Sequence, residues 1–164
     1  MIGVIIAASL ASAPYVAPDG RTVDQLIAAH VLPDPAATPG VVNPAINAGN
    51  LKDTVCKSGW TATVRPPTPY TNKLKVQDTP PGSKVADGEL DHLLSIEDGG
   101  SPDSPQNLWW MTYNDHYSAR VKDVLETKVK RLVCAGTITL DQARAALSPN
   151  WLIGYQQYVG PLPK

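Results

Sequence analysis

The chain has 164 residues, with 14 Lys and Arg against 15 Asp and Glu, which gives a formal net charge of −1 at pH 7. This balance argues against a uniformly basic surface, so any contact with nucleic acid must come from a local patch. Sixteen Pro, twelve Gly and no Phe, with 43% hydrophobic residues, indicate one loop-rich globular domain with short elements rather than a disordered chain.

The first thirteen residues form an apolar run, MIGVIIAASLASA, that ends in small residues. Small residues before a cut after Ala13 are typical of a secretory cleavage site. We therefore predict a signal peptide over residues 1–13 and a secreted or periplasmic protein. A buried N-terminal strand is the alternative, because no Lys or Arg precedes Arg21.

Cys56 and Cys134 are the two cysteines of the chain. In an exported protein they would form one intramolecular disulfide, which would stabilise the fold by about 4–5 kcal/mol in the chain-entropy model. In a cytosolic protein both would instead be small buried apolar residues. Neither has His partners at ligand spacing, so the two cysteines do not indicate a zinc site.

Local patterns predict several short elements around the centre of the chain. Capping-box spacing from Thr22 and again from Thr139 predicts two helix starts. Residues 61–64 alternate with β-branched residues and predict a strand. Thr71 is the predicted N-cap of a short basic helix, and Gly136 is the predicted C-terminal stop of a long one. With the Pro-rich loops, these elements predict an α+β fold.

Arg65, Lys73 and Lys75 form a basic cluster around Tyr70. A solvated surface is the simplest interpretation of this cluster, and a flank that contacts nucleic-acid phosphates is the alternative. Lys122, further along the chain, is another candidate for binding nucleic acid.

The stretch over residues 89–133 carries the residues with the most informative chemistry. Asp91 and His92 close a short apolar run that is predicted to be a strand. A Gly- and Pro-rich loop follows, and Asn107 then opens a second apolar run. A helical segment comes next, and His116 lies near its predicted start.

These residue types match the needs of phosphodiester hydrolysis, which requires an activated water and an electrophile for the charge that builds on phosphate. His92 can activate the water if a carbonyl holds its other ring nitrogen. Asp91 is a candidate ligand for a divalent metal ion, with Mg²⁺ favoured and Mn²⁺ or Zn²⁺ as alternatives. Asn107 can brace the loop and the histidine strand, and His116 could complete the metal shell.

The helical segment is predicted to be amphipathic. If it begins near His116, then Arg120 and Asp123 share a face with that histidine, and Arg120 could hold a scissile or adjacent phosphate. The opposite face is apolar and is predicted to pack into the core; its residues are Val121, Leu125, Val129 and Leu132.

Strand, loop, strand and helix with this Asp-His, Asn and His order resemble the ββα-metal core of HNH endonucleases. The stretch is particularly similar to small exported bacterial HNH-like proteins with a DHL-x₅-GG…NLW pattern. Further similar stretches, LPDPAATPGVVNPAI, TVCKSGWTATVRPPTPYTNKLK and ARVKDVLE…RLVCAG, extend the resemblance over most of residues 31–151. It implies a nuclease domain over residues 14–164, with a ββα core at residues 86–134 and additional flanking helices.

The resemblance also implies an activity, which is metal-dependent cleavage of DNA with low sequence specificity, with RNA as an alternative substrate. By position, His92 is similar to the general base, Asp91 to a metal ligand and Asn107 to the middle Asn of the motif. The NLWWM sequence differs from the NLWP-type ending of the group.

The third motif residue has four candidates: His116, Ser118, Asp123 and Glu126. The alternative function is a catalytically silent exported module that binds nucleic acid or protein on the same scaffold.

Overall fold

The structure is a computed structural model, and it describes residues 14–164. The predicted signal peptide lies outside the described residues. Within them the fold is α+β, as predicted, with six α-helices and one two-stranded antiparallel sheet. The elements are α1 Val23–Ala28, α2 Trp60–Val64, α3 Thr68–Asp78, β1 Gly88–His92, β2 Leu108–Thr112, α4 Ala119–Cys134, α5 Leu140–Leu147 and α6 Trp151–Tyr158. No helix among residues 14–164 is both long enough and apolar enough to cross a membrane.

The two strands form a hairpin whose register places Asp91 opposite Trp109 and Leu90 opposite Trp110. Residues 93–107 form the long loop between the strands. The side chains of β2 are all buried, and α3 and α4 both pack against the hairpin. The sheet therefore holds the end of β1, with its Asp-His pair, between helices.

The core joins the hairpin to α4, α5 and α6. Helix α4 buries Leu125 and Val129 completely, as its predicted apolar face requires, whereas Val121 and Leu132 are half-buried. The predicted last helix buries Trp151, the largest of the fully buried side chains. The core thus packs α4 mainly against α5, α6 and the hairpin loop.

Predictions that rest on local chemistry are confirmed. Thr22 and Thr139 each cap a helix with a complete capping box. Gly136 follows α4 with φ of 72°, a conformation that glycine adopts without steric cost.

Cys56 and Cys134 form the predicted disulfide. This bond links the segment before α2 to the C-terminal end of α4.

Three element predictions are wrong. Residues 61–64 belong to α2 rather than to a strand, and the helix packs Trp60 against the core. Helix α3 begins at Thr68, because a proline in its first turn is compatible with a helix start, so Thr71 lies inside the helix. Helix α4 begins at Ala119, after Ser118 in the N-cap position, so His116 lies outside the helix.

Candidate active site

A cavity of about 280 Å³ lies where β1, α2 and α4 meet the start of the hairpin loop. His92 and Asp91, the predicted base and metal ligand, both line it. Arg65 contributes a guanidinium to the same cavity. Five carboxylates complete the charged lining: Glu89, Asp91, Glu97, Asp123 and Glu126. The cavity is therefore strongly anionic, with an imidazole and one guanidinium at its wall.

The tautomer of His92 is set by the hairpin loop. Its Nε2 lies 2.9 Å from the carbonyl oxygen of Pro102, and because a carbonyl can only accept, Nε2 carries the hydrogen. The sequence-based expectation of a carbonyl at one ring nitrogen is thus met, and Nδ1 is left as the acceptor. Burial lowers the pKa of His92, although the Pro102 bond and Asp91 act in the opposite direction. The imidazole is therefore neutral at pH 7 and can accept a proton.

Asn107 braces the loop that holds His92. The side chain is fully buried. Its Oδ1 accepts from the N–H of Leu94 at 3.0 Å and of Val41 at 3.4 Å, while its Nδ2 donates to the carbonyls of Leu94 at 2.9 Å and Ser101 at 2.8 Å. Asn107 does not line the cavity. It is a positioning residue for the loop that carries Pro102, in agreement with the predicted brace.

Lys122 is fully buried, so its predicted contact with nucleic acid is wrong. Its Nζ lies 2.8 Å from Oδ2 of Asp91, forms an ion pair with Glu126 and donates to the carbonyl oxygen of His92 at 2.7 Å. Burial opposes the charge on Lys122, but the two carboxylates outweigh it and raise the pKa of this ammonium. Lys122 therefore ties α4 to the Asp-His pair of β1.

A signal for this buried lysine is present in the sequence. Lys122 precedes Leu125 by three residues and Val129 by seven, so it falls on the apolar face of α4. Glu126 follows at i+4, the spacing at which a lysine and a glutamate pair along a helix. A cation on an apolar helical face requires an anionic partner. Glu126 supplies one such partner and Asp91 supplies another.

The donor chemistry of the cavity fits a hard divalent cation. Burial raises the pKa of Glu89, Asp123 and Glu126, and the nearby charge of Asp91 raises each of them further. A divalent cation would relieve this repulsion. Oδ2 of Asp91 is buried against Lys122, so Oδ1 is the oxygen of this carboxylate that is left for a metal ion. The carboxylate of Asp91 and one neighbouring carboxylate would thus suit Mg²⁺, which keeps several waters in its shell.

Residues 14–164 contain no group of three His, Cys, Asp or Glu side chains arranged to hold a metal ion. Mg²⁺ does not require one, since it usually binds through one or two carboxylates and the phosphates of a substrate.

The structure does not bring His116 to the cavity. Its Nε2 lies 2.9 Å from Oδ2 of Asp19, its Nδ1 lies 3.7 Å from Asp115, and its ring packs against Tyr117. None of these residues lines the cavity. Because α4 begins only at Ala119, the shared helical face predicted for His116 and Arg120 does not exist.

Arg120 lies near the site but does not line the cavity. Its guanidinium carbon is 4.9 Å from the centre of the Tyr113 ring, and the Tyr113 hydroxyl donates to Glu89 at 2.6 Å. Of the other candidates for the third motif residue, Asp123 and Glu126 line the cavity, whereas Ser118 does not. The two helical acids are therefore better placed beside Asp91 than His116 is.

The basic cluster predicted around Tyr70 is divided by the fold. Arg65 lines both the cavity and an adjoining groove that includes Tyr70. The Tyr70 hydroxyl donates to the carbonyl of Asp103 at 2.6 Å, beside Pro102 in the hairpin loop. Lys73 and Lys75 lie on α3 and line neither space. Arg65 is therefore the member of the cluster that is placed to meet a phosphate in the cavity.

Comparison of the chain with models of protein families, with curated proteins and with solved structures found no match. What the site can do chemically therefore follows from its own residues. A neutral imidazole with a fixed tautomer, a cluster of carboxylates and one guanidinium share one open cavity.

Proposed function

We propose that the protein is a metal-dependent endonuclease that hydrolyses phosphodiester bonds in DNA with low sequence specificity, with RNA as an alternative substrate. The observation that carries this proposal is the hydrogen bond from Nε2 of His92 to Pro102, beside the Asp91 carboxylate. The hairpin followed by α4 supports the HNH-like interpretation, because the Asp-His pair closes the first strand and Asn107 precedes the second.

His92 acts as the general base in this proposal. Nδ1 accepts a proton from the attacking water, and the Pro102 carbonyl stabilises the resulting imidazolium through Nε2. Asn107 keeps the loop in place during this step. Arg65 binds a non-bridging phosphate oxygen at the cavity wall. The side chains of His92 and Asn107 are held for these roles by hydrogen bonds to the loop backbone.

The anionic lining of the cavity makes a cation necessary for binding a phosphodiester. Five carboxylates line the cavity, while Arg65 is the cation in its lining and Lys122 is buried behind it. A divalent ion held by Asp91 and a neighbouring acid, Asp123 or Glu126, would neutralise the developing charge on phosphate. A chelator should therefore abolish cleavage.

Cleavage of supercoiled plasmid tests the proposal. The oxidised protein is assayed with Mg²⁺, Mn²⁺, Zn²⁺ or EDTA, beside the variants His92→Ala and His116→Ala. We expect nicking with a divalent ion, none with EDTA, and a loss of about 10²–10⁴-fold in His92→Ala. His116→Ala is the matched control and should retain activity, because His116 lies outside the cavity. Equal rates for His92→Ala and wild type would refute the proposed base.

The second candidate function is a silent exported module that binds nucleic acid or protein. The pairing of Lys122 with Asp91 favours it, because that ammonium already neutralises part of the charge that a metal ion would meet. Salt-sensitive DNA binding without cleavage under any divalent ion would support this alternative. The disulfide between Cys56 and Cys134 supports export to the periplasm or the medium under both proposals.

A further inference from the structure

A second cavity, of about 350 Å³, lies at the outer edge of β2. It is lined by the end of α1 and the segment that follows it, by Leu74 and Asp78 of α3, and by β2 with Pro105 before it. It shares no lining residue with the anionic cavity described above. Its walls are largely apolar, with Trp109 and Trp110 on the strand side. The two cavities are therefore separate sites.

The register of the hairpin determines which backbone groups face the second cavity. Leu93 N–H donates to the carbonyl of Asn107 at 2.9 Å, and Tyr113 N–H donates to the carbonyl of Asp87 at 2.7 Å. In an antiparallel pair, hydrogen-bonded residues alternate with residues whose backbone groups point away. The odd-numbered residues of β2 therefore bond to β1. The N–H and C=O of Trp110 point to the outer edge, where the cavity lies.

Hydrogen bonds close this edge on either side of Trp110. Thr112 N–H donates to the carbonyl of His30 at 3.3 Å, and the Thr38 hydroxyl donates to the carbonyl of Leu108 at 3.4 Å. Between these two bonds, the described residues provide no partner for the N–H or the C=O of Trp110. A donor and an acceptor of the same residue thus face the cavity together.

The indole N–H groups of Trp109 and Trp110 do not face the cavity. Both are buried without an acceptor in the described part of the chain, and the Trp110 ring lies against Gly88 of β1. The groups that the strand edge offers to a ligand are therefore those of the Trp110 backbone.

His30 completes the wall with an edge-on contact to Trp110, at 5.5 Å between ring centres. Its φ of 54° makes it the one non-glycine residue with positive φ among residues 14–164, a conformation that is often retained at functional sites.

We infer that the second cavity binds a flat, uncharged heteroaromatic ring that carries a hydrogen-bond acceptor next to an N–H donor, as nucleobases do. Such an edge pairs with both backbone groups of Trp110. The volume is within the range of small-ligand sites. The second cavity would bind this ligand whether or not the first cavity cleaves phosphodiesters.

Other ligand classes fit this gap less well. A peptide strand needs several unpaired backbone groups in a row. At this edge the backbone groups of Trp110 are unpaired, but the Leu108 carbonyl and the Thr112 N–H on either side are already hydrogen-bonded. A free phosphate would meet the carboxylates of Asp34 and Asp78, which also line the cavity. An uncharged ring avoids this repulsion and fills the apolar walls.

Titration of the ¹⁵N-labelled protein with uridine and with adenosine tests the inference by NMR. At concentrations on the order of 1 mM we expect a shift of the Trp110 backbone amide signal. The indole signal of Trp151 should not move, because Trp151 does not line the second cavity. 3-Methyluridine and N6,N6-dimethyladenosine, which lack the ring-edge donor, should bind about tenfold more weakly, as expected for one lost hydrogen bond.

Two matched variants locate the binding. Ala37 is exposed and lines the cavity, whereas its neighbour Ala36 is exposed and does not. Ala37→Phe should abolish the shifts, and Ala36→Phe should preserve them. The inference is overturned if neither nucleoside moves the Trp110 signals, if the methylated nucleosides bind as tightly as the parent compounds, or if Ala37→Phe binds like wild type.

Discussion

Replacement of Lys122 by Met tests how the candidate active site is held together. Lys122 is fully buried and contacts Asp91, Glu126 and the carbonyl oxygen of His92. Methionine has similar length and no charge, so the variant leaves two largely buried carboxylates without their cation. Breaking a buried ion pair in this way costs about 3–5 kcal/mol. This is a large fraction of the roughly 5–15 kcal/mol that stabilises an ordinary domain.

Urea denaturation measures this loss as a change in the free energy of unfolding. Lys128→Met is the matched control, because Lys128 is exposed on the same helix and should change stability by less than about 0.5 kcal/mol. The double variant Lys122→Met/Glu126→Leu should recover part of the loss, since it removes one of the two unpaired carboxylates. If Lys122→Met is as stable as the Lys128→Met control, the ion pairs of Lys122 with Asp91 and Glu126 do not stabilise the fold.

The pH dependence of the Lys122→Met variant provides a second check. Burial raises the pKa of Glu126 even beside Lys122, and without that ammonium the opposing effect is removed. A carboxyl whose pKa is higher in the folded than in the unfolded protein destabilises the fold once the pH exceeds its unfolded-state pKa. At lower pH the carboxyl is protonated in both states and costs no stability. The deficit of Lys122→Met relative to wild type should therefore shrink as the pH is lowered. A deficit that is unchanged between neutral and acidic pH would contradict the assignment.

Three further predictions concern stability and are measured by denaturant unfolding. Asn107→Ala should lose about 3–5 kcal/mol, because its four hydrogen bonds to the loop backbone disappear; a loss below about 1 kcal/mol would refute the brace. Replacing Cys56 and Cys134 together by Ala should cost about 4–5 kcal/mol, because the disulfide spans 78 residues. Burial raises the pKa of Asp98 to about 8, so wild-type stability should fall between about pH 4 and pH 8, by up to about 1.4 kcal/mol per pH unit. Asp98→Asn should weaken this slope, and an unaltered slope would contradict the shift.

Features set by a few neighbouring residues could be predicted from the sequence. The capping boxes at Thr22 and Thr139 and the stop at Gly136 depend on side chain to backbone geometry within four residues. The brace by Asn107 was also predictable, because a buried Asn at the end of a Gly- and Pro-rich loop has the donors and acceptors that such a backbone needs.

Features set by tertiary packing could not be predicted in this way. Residues 61–64 show strand-like alternation, but the packing of Trp60 against the core holds them in a short helix, which ends before Pro66 and Pro67. The loop position of Asp98 predicts a turn, whereas its burial against α4 and α5 is a property of the assembled fold.

The candidate site also combines features that neighbouring residues predict with features that depend on tertiary packing. Asp91 and His92 are adjacent in sequence and lie in one cavity, as predicted. The contribution of α4 depends on where the helix begins, and a start at Ala119 places Asp123 and Glu126 at the cavity and leaves His116 with Asp19. A helix start cannot be fixed to within one turn by spacing alone, so the third residue of the motif remained open among four candidates.

The measurement that tests the central claim most directly is chemical rescue of His92→Gly in the plasmid-nicking assay with Mg²⁺ or Mn²⁺. Removing the imidazole leaves the Pro102 carbonyl and the carboxylates in place, and added imidazole is small enough for the 280 Å³ cavity. We predict that His92→Gly is inactive and that added imidazole restores part of the activity, with a rate that follows the fraction of neutral imidazole as pH changes. Nicking by His92→Gly at the wild-type rate without imidazole would contradict the assignment of His92 as the general base.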